Sequence, residues 1–142
     1  MLKTSLIIPA WNAENTIEDC LLSAIKAKSS PNEIVVVDDV STDNTVNIVN
    51  KLAKEYSKIK LLRLDKNVGP AGARDYGAKF AFGEIFFFTD SDTLILDFTF
   101  INCLNTMKKY KADAVSGIYH PEPINKGIAQ LYKALFFYYQ FA

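Results

Sequence analysis

The sequence predicts an α/β fold, a mostly parallel sheet with helices on both faces. Three observations lead there. Short apolar runs without polar alternation recur along the chain (SLIIP, EIVVV, EIFFF), as strands covered on both faces require. Runs with apolar residues at helical spacing lie between them. Acidic or aromatic residues follow several of the strand runs directly, where open α/β sheets carry their ligand sites.

The elements follow in order. Residues 5–9 form a first strand closed by Pro9. A helix comes next, with Asn15 expected as its cap and Glu18 completing a capping box; Ile17, Cys20, Leu21, Ala24 and Ile25 line one face. Residues 33–37 form a β-branched strand that stops at Asp38-Asp39. Ser41, Thr42 and Asp43 offer caps for a second helix carrying Val46, Val49, Leu52 and Ala53. Residues 59–64 give a third strand, and the turn NVGPAGAR opens a third helix that stops near Gly83. Residues 84–88 give a fourth strand. A helix over 98–110, a strand over 112–117 and an aromatic helix from about Ile124 complete the expectation.

A chain of 142 residues that is 49% hydrophobic suits one domain with an ordinary core. Sixteen basic and sixteen acidic residues cancel, so no charge excess points to nucleic acid. Cys20 and Cys103 are too few for a disulfide framework or a zinc site and read as small core residues of a reducing compartment. No signal peptide is read at the start. No run of apolar residues is long enough to span a bilayer.

Asp90-Ser91-Asp92 follows the fourth strand at once. Two carboxylates so close repel, and a cation relieves them. Mg²⁺ or Mn²⁺ takes one or two carboxylates and leaves positions for phosphate oxygens. The plainer alternative is a turn that caps the next helix. In Asp38-Asp39, one acid is expected to accept a hydrogen bond from a nucleobase or ribose. Capping is set aside because Ser41 to Asp43 already serve the next helix. Arg74 should emerge one turn into the third helix, either to pair with a phosphate or an aspartate or to stand as a surface arginine. Trp11 is expected to stack on a base, with core packing as its alternative. His120, in YHPEP, reads as a loop residue.

Taken together these blocks resemble the family 2 inverting glycosyltransferases of the GT-A fold. The family's Pro-x-Tyr-Asn-x-Glu appears as Pro9-Ala10-Trp11-Asn12-Ala13-Glu14. Its acid pair and Ser-Thr-Asp-x-Thr appear from Asp38 to Thr45. Its Asn-x-Gly and Ala-Arg-Asn-x-Gly appear as Asn67-Val68-Gly69 and Ala73-Arg74-Asp75-Tyr76-Gly77, and its Gly-Glu strand and D-x-D as Gly83 through Asp92. Val40 stands where the family often has glycine, Trp11 where it has tyrosine, and Asp75 where it has asparagine.

The resemblance implies a Rossmann-like nucleotide-diphospho-sugar transferase fold. Within one domain, residues 1–95 would be the nucleotide-sugar-binding half and 96–142 the start of an incomplete acceptor-side half. Asp39 would contact the donor base, with Pro9, Trp11 and Glu14 completing that pocket. Arg74 would hold the nucleotide or orient the acids. Asp90 would lie near the ribose or sugar and the metal, and Asp92 would be the principal ligand of Mg²⁺ or Mn²⁺. No catalytic base is assigned, because Asp113 and Glu122 are the only acids beyond Asp97 and neither matches a family motif.

The expected activity is sugar transfer from a nucleoside-diphosphate donor, UDP-linked by preference, to a saccharide or lipid-linked acceptor in polysaccharide, cell-envelope or glycolipid synthesis. The expected setting is cytoplasmic, peripheral to the inner face of a membrane. The apolar stretch over residues 128–142, from Ile128 to Ala142, is expected to pack against further chain, or else to touch the membrane surface. A non-catalytic nucleotide-sugar-binding or regulatory domain is the alternative. A phosphoacceptor domain fits less well: its acid pair should follow the first strand and a lysine should end the fifth.

Overall fold

A computed structural model describes residues 2–117 of the chain. Its elements are β1 (Thr4–Ala10), α1 (Ile17–Lys26), β2 (Glu33–Asp38), α2 (Thr45–Glu55), β3 (Ile59–Arg63), α3 (Gly69–Phe80), β4 (Ile85–Phe88) and α4 (Thr99–Tyr110). All four strands and α1 to α3 belong to one compact unit that ends at Phe100. His120, Glu122, the helix from Ile124 and the stretch 128–142 lie outside the described residues. Among the described residues no helix is long and apolar enough to cross a membrane.

The strands form one parallel sheet in the order β3-β2-β1-β4. The chain steps outward from β1 to β2 to β3, then returns to place β4 on the other side of β1. The direction therefore reverses between β1 and β4, and such a switch point opens a crevice at the carboxyl ends of the strands.

Strand side chains alternate between the two faces. Leu6, Ile8, Ile34 and Val36 pack with Ile17, Cys20 and Leu21 of α1 and Val49 and Leu52 of α2. Ile7, Val35 and Val37 point the other way and meet Ala73 of α3. Contact there is close because α3 presents Gly77. A Cβ at that position would stand 2.7 Å from Ile7 Cγ2 and 2.8 Å from Val37 Cγ2. Glycine is set by sheet contact at this point, not by a turn.

β4 is less covered than β1 and β2. Phe87 meets Phe100 edge-on at 4.9 Å on the α1 face, while Phe86 and Phe88 are 39% and 51% exposed on the other.

Three local expectations are corrected. α1 is preceded by a turn in which Ala13 O accepts from Thr16 N and Ile17 N, so Thr16 is the capping position and Asn15 lies inside the turn; no capping box forms. Residues 112–117 join no strand ladder among the described residues. Their sequence, ADAVSG, has one β-branched residue and is otherwise rich in poor strand formers. α3 stops at Phe80 rather than near Gly83.

Candidate functional site

The carboxyl ends of β1, β2 and β4 carry the polar residues singled out by sequence. The register fixes their level: Ala10 pairs with Asp38, and Ile7 with Phe88. Asp39 N donates to Ala10 O at 2.8 Å, extending the β1–β2 ladder into the loops.

Of the acid pair, Asp38 is committed to the protein. Its carboxylate is buried and accepts from Ser41 N at 3.3 Å and Arg63 Nε at 3.4 Å. Asp39 is placed differently. Its Oδ1 accepts from Val68 N and its Oδ2 from Gly69 N, each at 2.8 Å, while its carbonyl accepts from Asn67 Nδ2. Asp39 therefore caps the start of α3, where free N–H groups and the helix dipole favour an anion. Capping is thus one task of Asp39, though not for the helix that follows it directly. The helix served lies 30 residues further on. A carboxylate oxygen can accept twice, so acceptor capacity remains, although the residue is only 3% exposed.

Val40 follows in the left-handed region at φ 66°. The turn thus has the shape that glycine, the commoner family residue here, adopts freely, and a β-branched side chain is strained in it.

Arg74 emerges from α3 toward the β4 loop and forms an ion pair with Asp90 Oδ1. One of its two expected partners is therefore present, in a pair whose side chains are 31% and 51% exposed. Asp92 is exposed and makes no ion pair among the described residues. The D-x-D segment is a turn in which Thr93 N donates to Asp90 O. It rests on α1, where the Cys20 thiol lies 3.5 Å from Asp90 O. Burial, then the nearby charge of Asp92, pushes that thiol up to about 12. Cys20 is thus an inert core residue beneath the turn, and Cys103, raised by burial, is free as well. Ser23 Oγ, accepting from Ile95 N, and Lys28 N, donating to Asp97 O, pin the segment that follows.

Trp11 is 59% exposed, which excludes the core reading. Pro9 is buried at the end of β1. Glu14 lies in the β1–α1 loop and accepts from Asn44 N through Oε2 at 2.9 Å. Asp75, the departure from the family asparagine, is spent on an exposed pair with Lys79. A shallow hollow on the outer side of α2, lined by Asn47, Asn50, Lys51, Ala53 and Lys54, includes none of these residues.

Sequence reasoning missed Asn12. It takes the left-handed region at φ 48°, and its Oδ1 accepts from Thr42 N at 2.8 Å. It also missed Thr45, whose Oγ1 accepts from Ala13 N. The signal for Asn12 was available, since asparagine tolerates that backbone better than most residues.

A parallel sheet with its switch point beside a D-x-D turn, an acid-capped third helix and an arginine joining the two define an open α/β class whose polar residues lie at the carboxyl ends of its strands. The glycosyl transferase family 2 model matches residues 5–141, and the chain belongs to that family. It is similar to the poly(ribitol-phosphate) beta-glucosyltransferase of Bacillus spizizenii, 34% identical over 120 residues, 82% of this chain and 19% of that protein. Among solved structures it is similar to TarS 1–349 of S. aureus in complex with UDP-GlcNAc: TM-score 0.70, 33% identity, 89% of this chain and 39% of that one. The mannosyltransferase PcManGT of Pyrobaculum calidifontis, in complex with GDP-Man and Mn²⁺, gives a TM-score of 0.77 at 27% identity over 94% of this chain and 38% of that one. The chain thus spans 19% of the Bacillus spizizenii protein and 38% to 39% of the two solved chains. The GT-A-type fold and the family resemblance are borne out.

Proposed function

We propose that this chain is the donor-binding part of an inverting glycosyltransferase that moves a sugar from a nucleoside-diphosphate donor to a saccharide or lipid-linked acceptor of the cell envelope. Residues 1–95 are assigned to the donor half and 96–142 to the beginning of the acceptor half. The observation that carries the reading is the joining of three strand-end loops: Asp39 holds the start of α3, and α3 delivers Arg74 to Asp90.

In this reading Trp11, Pro9 and Asp39 bound the nucleobase, with Glu14 at the rim, and Arg74 and Asp90 face the ribose and diphosphate. The acids fit a hard divalent cation that keeps donor oxygens in its shell. Asp90 and Asp92 supply carboxylates, and no cluster of three or more possible ligand residues exists among the described residues to build a closed cage. When bound, such a cation would neutralise the leaving diphosphate. Asp92, unpaired, is the principal ligand. Asp90 is shared with Arg74, whose guanidinium can turn to a phosphate when the cation arrives. A UDP donor is favoured because the UDP-GlcNAc complex belongs to a relative at 33% identity, against 27% for the GDP-Man complex.

Titration of UDP against the chain with and without Mn²⁺ tests this. Binding is expected to need the metal and to weaken about tenfold or more in Asp92→Ala, roughly 1.4 kcal/mol. Binding indifferent to both would overturn it.

A further inference from the structure

The loops after β1 and β2 are fastened to each other by side chains rather than by extended backbone pairing. Asn12 N donates to Ser41 Oγ at 2.9 Å, and Asn12 Oδ1 accepts from both Thr42 N at 2.8 Å and Thr42 Oγ1 at 3.3 Å. Ala13 N donates to Thr45 Oγ1 at 2.8 Å. Glu14 closes the set in both directions: its N–H donates to Asp43 Oδ2 at 3.0 Å, and its carboxylate accepts from Asn44 N at 2.9 Å. Asp43 Oδ1 in turn accepts from Thr45 N and Thr45 Oγ1. Two acids from separate loops therefore cap the start of α2, one from its own loop and one from across the sheet edge. Burial alone would raise the Asp43 carboxyl, but the donors from Thr45 and Glu14 outweigh it and hold it below the usual carboxylate range.

Trp11 lies immediately before this fastening and Asp39 immediately ahead of the loop it grips. The ring of Trp11 is largely in solvent and lacks the packing that would fix a core tryptophan. Its backbone is held instead by the Asn12 links on one side and the β1 ladder on the other.

We propose that Glu14, acting with Asn12, is a positioning residue: it locks the β1 loop to the β2 loop and so presets Trp11 and Asp39 for the donor base, without touching the donor. This rests on the donor-site reading above but assigns Glu14 a different task from a pocket wall. An acceptor at Oε2 is all the lock needs, so an amide serves almost as well as a carboxylate. A residue that met the donor through its charge would not tolerate that change.

The test uses the 142-residue chain, in which Trp11 is the only tryptophan. Acrylamide quenching and emission of Trp11 are measured without nucleotide, and UDP affinity with Mn²⁺, for wild type, Glu14→Ala and Glu14→Gln. Glu14→Ala is expected to raise the UDP Kd about tenfold and to make Trp11 more quenchable, with Glu14→Gln within about twofold of wild type on both. Equal losses of affinity in both variants, with Trp11 unchanged, would overturn the proposal. Should Glu14→Ala lose its helical circular dichroism, Asn12→Gly takes its place. It deletes the Oδ1 links while permitting the left-handed backbone, and a wild-type Trp11 signal in it would equally overturn the lock. If wild-type protein binds no UDP, the donor-site reading fails, while the nucleotide-free Trp11 measurement still decides the lock.

Discussion

At the amino end of the sheet Glu33 is buried and paired with a cation; at the carboxyl end Asp39 is buried and held by backbone N–H groups without one, while Asp90 and Asp92, on the loop after β4, are exposed. Glu33 accepts from Ser5 Oγ, from Phe82 N and from Lys60 Nζ, so every oxygen is used and a cation closes the set. Ser5 Oγ also accepts from Gly83 N, and a Cβ on Gly83 would stand 2.4 Å from that oxygen. The amino end is thus a closed polar knot with room for nothing else. At the carboxyl end Asp39 is held by backbone N–H groups, Asp90 pairs with Arg74, and Asp92 has no ion-pair partner among the described residues. A buried acid with its own cation belongs to the fold. For Asp39, Asp90 and Asp92 the one ion pair among the described residues is that of Asp90 with Arg74, and the proposed donor site rests on these acids.

The largest expected effect separates the two ends by stability. Glu33→Ala leaves Ser5, Phe82 N and the partly exposed Lys60 without their acceptor and should cost about 3 kcal/mol in urea unfolding. UDP affinity of the folded fraction should not change. If stability held within about 1 kcal/mol and UDP binding fell instead, the distinction between the ends would collapse.

Asp39→Ala comes next and should strike both properties. Losing the cap of α3 should cost about 1–2 kcal/mol, and UDP binding should weaken more than tenfold, because the proposed base contact and the seating of Arg74 would go together. Urea unfolding and UDP titration on one preparation check it. A variant that lost stability alone would make Asp39 the carboxyl-end counterpart of Glu33 and no more.

Acid sharpens the comparison. Burial raises the Glu33 carboxyl, but its hydrogen bonds from Ser5, Phe82 and Lys60 bring it below its ordinary 4.5. Asp43 is likewise below its ordinary 3.8. A depressed carboxyl contributes stability above its unfolded-state pKa and loses it as pH falls through the folded value, at most about 1.4 kcal/mol per pH unit for buried Glu33 and less for Asp43, which solvent screens. Wild type should therefore weaken below about pH 4.5, with Glu33 first and Asp43 lower. Glu33→Gln should flatten the upper part of that fall and Asp43→Asn only the lower part, in unfolding curves taken from pH 6 to 3.

Much of the fold could be read because each strand is a continuous apolar run, and the order β3-β2-β1-β4 then places the polar ends together. What could not be read was long-range. That Asp39 caps α3 depends on how β2 and α3 meet across the sheet, which no local pattern encodes. The same holds for the links from Asn12 and Glu14 to the loop between β2 and α2. Asn15 misled because it looks like a cap locally, whereas the turn at Ala13 shifts the helix start by one residue. Val40 is legible in part: the sequence shows the departure from glycine, and the left-handed backbone shows what that departure costs.

That cost is the smallest effect and concerns the carboxyl end alone. Asn12, Ser29, Val40 and Lys111 are the described non-glycine residues at positive φ, and only Val40 is β-branched. Asparagine bears that backbone readily; valine bears it worst, at roughly 1–2 kcal/mol. The strain persists because its neighbours are fixed, Asp39 by the start of α3 and Ser41 by Asp38 and Asn12. Val40→Gly should therefore stabilise the chain, but by less than the relieved strain, since glycine also gives the unfolded chain more freedom; a gain of about 0.5–1 kcal/mol is expected in urea unfolding. Because the turn keeps its shape, UDP affinity should stay within about twofold of wild type. Loss of stability on this substitution would mean that the Val40 side chain packs usefully, and the turn would then be held from the core side rather than by the loops that meet at the ligand edge.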